Sequence, residues 1–267
     1  MKEIDINELK SIQLDILSAL DSFCRENGVN YTISSGTLIG AVRHKGYIPW
    51  DDDIDVFMLR SEYEKFVKIC PDLLDGKYKL MCLERNLDYC FPYANLGDVR
   101  TKMVEDANTG ETIVNIDIFP IDDVPGVDEG WHKYLRQMTI LYGMKEMKVI
   151  HFNRNRSLAK NLFLCLMKAV LCPFSLNWFV KWCNKFAQKN NGQGYEWVYT
   201  CSFGPYAKRL PHKKSDYDEY IDLEFEGRTF KAMKGYDDYM TSVYGDYMQL
   251  PPVEKRVSTH DYKAWWI

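Results

Sequence analysis

The sequence predicts an α/β (α+β) protein: a mixed sheet flanked by helices, with an inserted basic helical subdomain. Three observations carry that prediction. Apolar residues recur at helical spacing over residues 5–27, short β-type runs then alternate with helical segments as far as Val124, and residues 131 to about 188 are mostly helical in pattern.

The first helix is written by Ile6, Leu9, Ile12, Leu14, Ile16, Leu17, Leu20 and Phe23, and Asn27-Gly28 ends it. Residues 31–34 read as a short strand, Ser35-Gly36 as a turn and 37–44 as a short helix. A strand is expected over 54–58, a helix over about 61–70, and further strands at 78–83, 91–99 and 113–119. Three units are expected: a catalytic core over 1–125, a basic helical subdomain over 126–194, and a mixed C-terminal segment over 195–267 that completes the site.

Composition narrows the function. With 46% hydrophobic and 27% charged residues, the 267-residue chain is that of a folded protein. A net charge of -4 argues against a dedicated nucleic-acid binder. The eight cysteines, Cys201 among them, form no C-x-x-C pair, so a zinc site is not expected and buried thiols in a reducing compartment are. Residues 1–5 carry no apolar signal core. The most apolar stretch, 162–180, is interrupted by Lys168, Pro173 and Asn177, which a spanning helix of roughly 20 apolar residues would not tolerate. The expectation is a cytoplasmic protein, at most peripheral at the inner face of the membrane.

The chemistry lies in two linked strings, Gly36 to His44 and Ile48 to Val56. On a strand Asp53 and Asp55 share a face while Ile54 and Val56 turn to the core. Parallel carboxylates repel unless a cation intervenes, and Mg²⁺ is typically held by one or two carboxylates with substrate phosphates. Asp117, between Ile116 and Ile118, is a third acid that needs a partner; Arg100 could supply one. If its strand adjoins that of Asp55, the three carboxylates can hold metal and activate a hydroxyl. Gly36-Thr37 ahead of a helix suits a phosphate, and Arg43, His44 and Lys45 suit a pyrophosphate. The series Asp51, Asp53, Asp55 with Glu62 imitates a calcium loop, but Val56 stands where that loop needs glycine. Taken alone, Asp51 to Asp53 would be a solvated turn.

The string GTLIGAVRHKGYIPWDDDIDVFMLRSEYEKF resembles the LicD family, which includes fukutin-type proteins, within the nucleotidyltransferase superfamily. NIDIFPIDDVPG and YGDYMQLPPVEKR agree with it. Asn95 stands where the resemblance would place a lysine. The resemblance implies a nucleotidyltransferase-type sheet and transfer of phosphocholine, or a related phospho-alcohol, from a CDP-linked donor. The acceptor it implies is a glycan or lipid-linked glycan, such as a teichoic-acid or lipopolysaccharide precursor. It also implies Mg²⁺ (or Mn²⁺) on Asp53, Asp55 and Asp117, with Asp117 as base. Gly36 and Thr37 would contact donor phosphate and Arg43 would stabilise developing charge. Trp50, Tyr47, Tyr89 and Tyr93 are candidates for stacking or for caging a quaternary ammonium. His44 is either a phosphate donor or a helix-end residue, and His260 a structural one. A nucleotidyltransferase releasing pyrophosphate, and a non-catalytic glycan- or membrane-binding module, are the alternatives.

Residues 147–195 contain no Asp or Glu and eight Lys or Arg among Leu, Phe and Trp. Two readings stay open: an element drawn to an anionic membrane surface, or a basic subdomain that packs on the core or holds an anionic acceptor.

Overall fold

Strand β1 (Lys2–Ile4) leads into α1 (Ile6–Glu26), whose start is fixed by Asp5: its carboxylate accepts from the N–H groups of Asn7 and Glu8, both at 2.9 Å. Leu9, Ile12, Ile16, Leu17 and Leu20 form the buried stripe, and Gly28, at φ 60°, turns the chain out of the helix. This computed structural model describes residues 1–86, 89–105, 111–127, 129–150, 157–200, 210–257 and 262–267. Arg154, Arg156, Cys201 and His260 lie outside the described residues.

The order continues β2 (Thr32–Ile33), α2 (Ser35–His44), β3 (Asp55–Leu59), α3 (Arg60–Ile69), β4 (Leu73–Leu74), β5 (Tyr78–Met81) and β6 (Ala94–Asp98). Then come β7 (Thr101–Glu105), β8 (Glu111–Thr112) and the long β9 (Asn115–Val124). Three helices follow: α4 (Glu129–Val149), α5 (Leu158–Leu171) and α6 (Leu176–Ala187). The chain closes with β10 (Trp197–Tyr199), β11 (His212–Lys213), β12 (Tyr220–Phe225), β13 (Arg228–Met233), α7 (Tyr236–Tyr244) and β14 (Tyr262–Trp266).

The expected α/β architecture is present, with the main sheet centred on β9. It pairs in parallel with β3, and antiparallel with β6 at its start and with β10 at its end. β2 extends the β3 side, β5 and β4 the β6 side, and β11 follows β10, so the sheet is mixed. A second sheet, ordered β1-β14-β7-β8, ties the two ends of the chain together, and β12 and β13 form a hairpin. One hydrophobic core lies between α1 and the main sheet; a smaller one joins Val124, Trp131, Tyr134, Met138, Cys183 and Tyr199 beneath α4 and α6.

Two local expectations change. Ser35-Gly36 is not a turn but the first turn of α2, because extended Ser34 already occupies the cap position. Arg100 does not serve Asp117: its Nε donates to Asp98 Oδ1 at 2.9 Å across two residues.

Candidate active site

The start of α2 and the start of β3 are clipped together. Ser34 N–H donates to the Asp55 carbonyl and Asp55 N–H donates to Thr37 Oγ1, each at 2.9 Å. Asp55 is the register partner of Asp117 on the parallel neighbour strand, and Asp117 N–H donates to the Ile54 carbonyl at 2.9 Å. The adjacency on which a three-acid cluster depends is therefore present. Asp53 precedes β3 but still faces the same place. Burial pushes the Asp55 carboxyl well above the usual carboxylate range, and repulsion from Asp53 and then Asp117 adds to it. Asp51 contributes in the same direction and the Ser35 hydroxyl opposes it. That hydroxyl is buried and meets no partner at full hydrogen-bond geometry. Ser35 also sits in the left-handed region at φ 48°, a strain of about 1–3 kcal/mol of the kind found at functional sites.

The acidic run is not a solvated turn. Asp52 is buried, Asp51 and Asp53 are half-buried, and one carboxylate oxygen from each lies within 4.8 Å of the others. Gly36 explains how Asp51 gets in: a β-carbon at that position would stand 2.2 Å from Asp51 Oδ2. Gln13, a buried amide on the apolar face of α1, braces the run by donating to the Asp52 carbonyl at 3.0 Å, and its Oε1 accepts from Tyr47 at 3.2 Å. The sequence offered only one sign of Gln13, a polar residue inside an apolar stripe. For Asp51 and Asp52, the sign was the density of acids.

These donors fit a hard cation. All are carboxylates: Asp51, Asp52 and Asp53 bring their oxygens together on the loop, and Asp55 and Asp117 lie in register on the two parallel strands beside it, close enough for Asp53 and Asp117 to raise the Asp55 pKa. Asp117 accepts from the Asn95 amide, which in turn accepts from the Tyr89 hydroxyl and donates to Asn115 Oδ1 at 3.2 Å. Asn95 thus supplies a neutral donor to Asp117 at the position where a lysine was expected.

A cavity of about 420 Å³ opens beside the acids, lined by Asp52, Asp53 and Asp117 on one side and Tyr89, Phe91 and Tyr93 on another. The three rings form a continuous wall, with centroids 5.6 Å apart for Tyr89 and Phe91 and 5.2 Å for Phe91 and Tyr93. Tyr47, by contrast, is a core residue, its ring 5.0 Å from that of Phe225 and its hydroxyl donating to the Lys10 carbonyl.

Arg43 and His44 lie at the opposite end of α2 from Gly36, roughly 10 Å along the helix. Neither they nor Trp50 line that cavity. Arg43 donates to the carbonyls of Tyr247 at 2.7 Å and Gln249 at 3.3 Å, and to His44 Nε2 at 2.9 Å. Burial, then the Arg43 charge, lowers the His44 pKa. The Arg256 guanidinium lies 5.7 Å over the Trp50 ring. The segment YGDYMQLPPVEKR is therefore docked on the end of α2, which explains why two strings so far apart in the chain go together.

A family model described as "LicD/FKTN/FKRP, nucleotidyltransferase domain" matches residues 28–153, a span that contains α2, β3 and β9. The chain is 31% identical over 276 residues to the "Lipopolysaccharide cholinephosphotransferase LicD" of Haemophilus influenzae, covering 99% of each. It is also 34% identical over 96 residues to an uncharacterized protein of Rickettsia typhi, covering 33% of this chain and 31% of that one. The likeness to the Haemophilus protein runs through the helical segment and the C-terminal strands as well as the acids.

Proposed function

The chain belongs to the LicD family, and on that premise we propose that it moves phosphocholine, or a related phospho-alcohol, from a CDP-linked donor to a glycan acceptor and releases CMP. The observation that carries this reading is the juxtaposition of a carboxylate cluster with an aromatic wall in one cavity. A phosphocholine donor needs both, since its phosphates call for cationic neutralisation and its quaternary ammonium suits the faces of aromatic rings. The full-length likeness to a lipopolysaccharide cholinephosphotransferase supports a lipopolysaccharide-type acceptor.

Asp53, Asp55 and Asp117 are the proposed ligands of Mg²⁺ (or Mn²⁺), with Asp51 and Asp52 beside them. When bound, the ion would neutralise charge on the donor phosphates. Asp117, held by Asn95, is the proposed base that takes the acceptor hydroxyl's proton. Gly36 and Thr37, in the first turn of α2, are the proposed contacts for donor phosphate, since helix N-terminal amides suit an anion. Arg43, the cation expected to stabilise developing charge, stands about 10 Å along α2 from Gly36 and is anchored on two carbonyls outside the cavity, so that role would require it to leave them. Tyr89, Phe91 and Tyr93 would hold the choline end.

The purified protein should release CMP from CDP-choline, or from CDP-ribitol, CDP-glycerol or CDP-ethanolamine, when given acceptor and Mg²⁺. EDTA should abolish the release and Mg²⁺ or Mn²⁺ should restore it. Label on the distal phosphate should end in the glycan. Cytidylate on the acceptor, with phosphocholine (or the corresponding phospho-alcohol) released in place of CMP, would reject this reading for nucleotidyl transfer, and full activity in EDTA would remove the metal from it.

A further inference from the structure

The α5–α6 hairpin wears its apolar residues outward. Leu158, Leu162, Leu166 and Val170 form an i, i+4 row along α5, and with Phe163 they are between 55% and 85% exposed. A surface helix normally turns such a row to the core and its polar residues to water. Here Lys168 turns the other way, its Nζ donating to the Lys148 carbonyl at 3.1 Å, while Leu164 and Leu171 are the buried residues of the helix. The patch continues onto Phe174, Trp178 and Trp182, whose rings follow one another at 4.7 and 5.0 Å. Lys181 and Lys185 are exposed on α6 alongside the two tryptophans. A contiguous apolar surface of this kind marks an interaction site.

Three facts choose the occupant. Residues 147–195 contain no carboxylate, so two copies meeting face to face would set lysine against lysine with no acid to receive it. An aromatic and leucine face fringed by lysine matches the border between acyl chains and anionic headgroups. Finally, α5 has 14 residues, about 21 Å, against a hydrocarbon core of about 30 Å. Only together with the following helical segment, which it meets at 85°, does it reach the length and composition of a span; among the described residues no single helix is long and apolar enough to cross.

We propose that the outward face of the α5–α6 hairpin seats the protein on an anionic bilayer, lying along the interface with its leucines and tryptophans in the acyl boundary and Lys181 and Lys185 on lipid phosphates. This stands apart from the phosphotransfer reading, yet it bears on the cavity. Asn177 of α6 donates to the Tyr89 carbonyl at 3.0 Å, and Tyr89 reaches Asp117 through Asn95. A docked hairpin would hold the cavity wall at a fixed height above the membrane, where a lipid-linked acceptor could be met.

Vesicle flotation with the full chain tests it. The protein should float at low salt with phosphatidylcholine vesicles containing phosphatidylglycerol, float less with phosphatidylcholine alone, and detach as salt rises. Brominated acyl chains should quench its tryptophan emission, and Trp178→Phe with Trp182→Phe should remove most of that quenching. Leu162→Glu with Leu166→Glu should cut vesicle partitioning by about tenfold or more while leaving the thermal melt unchanged, since both side chains are exposed. Failure to float on anionic vesicles would overturn the proposal. So would flotation that the double glutamate variant leaves intact, or a concentration-dependent dimer that this variant dissolves in a protein that ignores vesicles.

Discussion

The two halves of β9 carry the same residue and put it to opposite use. Near its start, Asp117 lies in register with Asp55 and receives the amide of Asn95, in the company of other carboxylates. Toward its end, Asp122 receives Arg60 in a two-pronged ion pair, Nε to Oδ1 at 2.8 Å and Nη2 to Oδ2 at 2.7 Å, and the Asn191 amide at 2.7 Å. Asp123 is met by Lys214 at 2.7 Å. An acid faced by a fixed cation is scaffold: it ties α3 and the residues after α6 to the sheet. An acid crowded by acids keeps its charge at a cost, which a proton or a cation would relieve. The difference lies in the neighbours, and the neighbours come from distant parts of the sequence.

The comparison breaks most visibly at the Asp117 end. Asp55→Asn and Asp117→Asn should each lower turnover by about 10²–10⁴-fold. Both should keep or raise the melting temperature in the absence of divalent metal, because each removes a like charge from a crowded site. A loss of folding as large as that of the Arg60 variant would show that these acids are scaffold after all. At the other end the signs reverse. Arg60→Ala leaves Asp122 buried without its cation and should cost about 3–5 kcal/mol in urea denaturation, with turnover per folded molecule unchanged. A selective loss of turnover in a protein of normal stability would move Asp122 into the site. The smallest effect sharpens the boundary. In an ordinary helix Gly→Ala gains about 1 kcal/mol. In Gly36→Ala the new methyl must displace the Asp51 carboxylate, so the gain should vanish and the rise in melting temperature on adding Mg²⁺ should shrink. An unchanged Mg²⁺ response would separate Asp51 from the metal-binding group.

Much of this was legible in the residues. Alternation along 53–57 predicts Asp53 and Asp55 on one face, although Asp53 lies ahead of β3, and an acid between Ile116 and Ile118 announced itself as one in need of company. What could not be read was adjacency: only the fold sets β9 beside β3 with Asp117 opposite Asp55. Asp51 and Asp52 were hidden by their own abundance, since a run of acids looks like a solvated loop until Gly36 is seen to leave room for one of them. Gln13 was hidden by α1, whose apolar period absorbs one polar exception without changing the helix. The helical segment was legible as composition and illegible as orientation. Its lack of acid was plain, but that the leucine row of α5 faces out and Lys168 faces in is decided by packing against the body.

The second sheet has a consequence for the order of assembly during synthesis. β14 lies between β1 and β7, with Trp266 Nε1 donating to Glu8 at 2.8 Å and the Ile267 N–H to the Arg100 carbonyl at 3.0 Å. Met103 of β7 and Glu111 and Thr112 of β8 line the cavity beside the acids. β1 thus waits for β14, and contacts closed over so long a separation in sequence form late. While the chain is still on the ribosome, α1, β3 and β9 can already gather the carboxylates. The β7–β8 side of the cavity gains its β14 neighbour only when residues 262–266 arrive, after the acids have gathered.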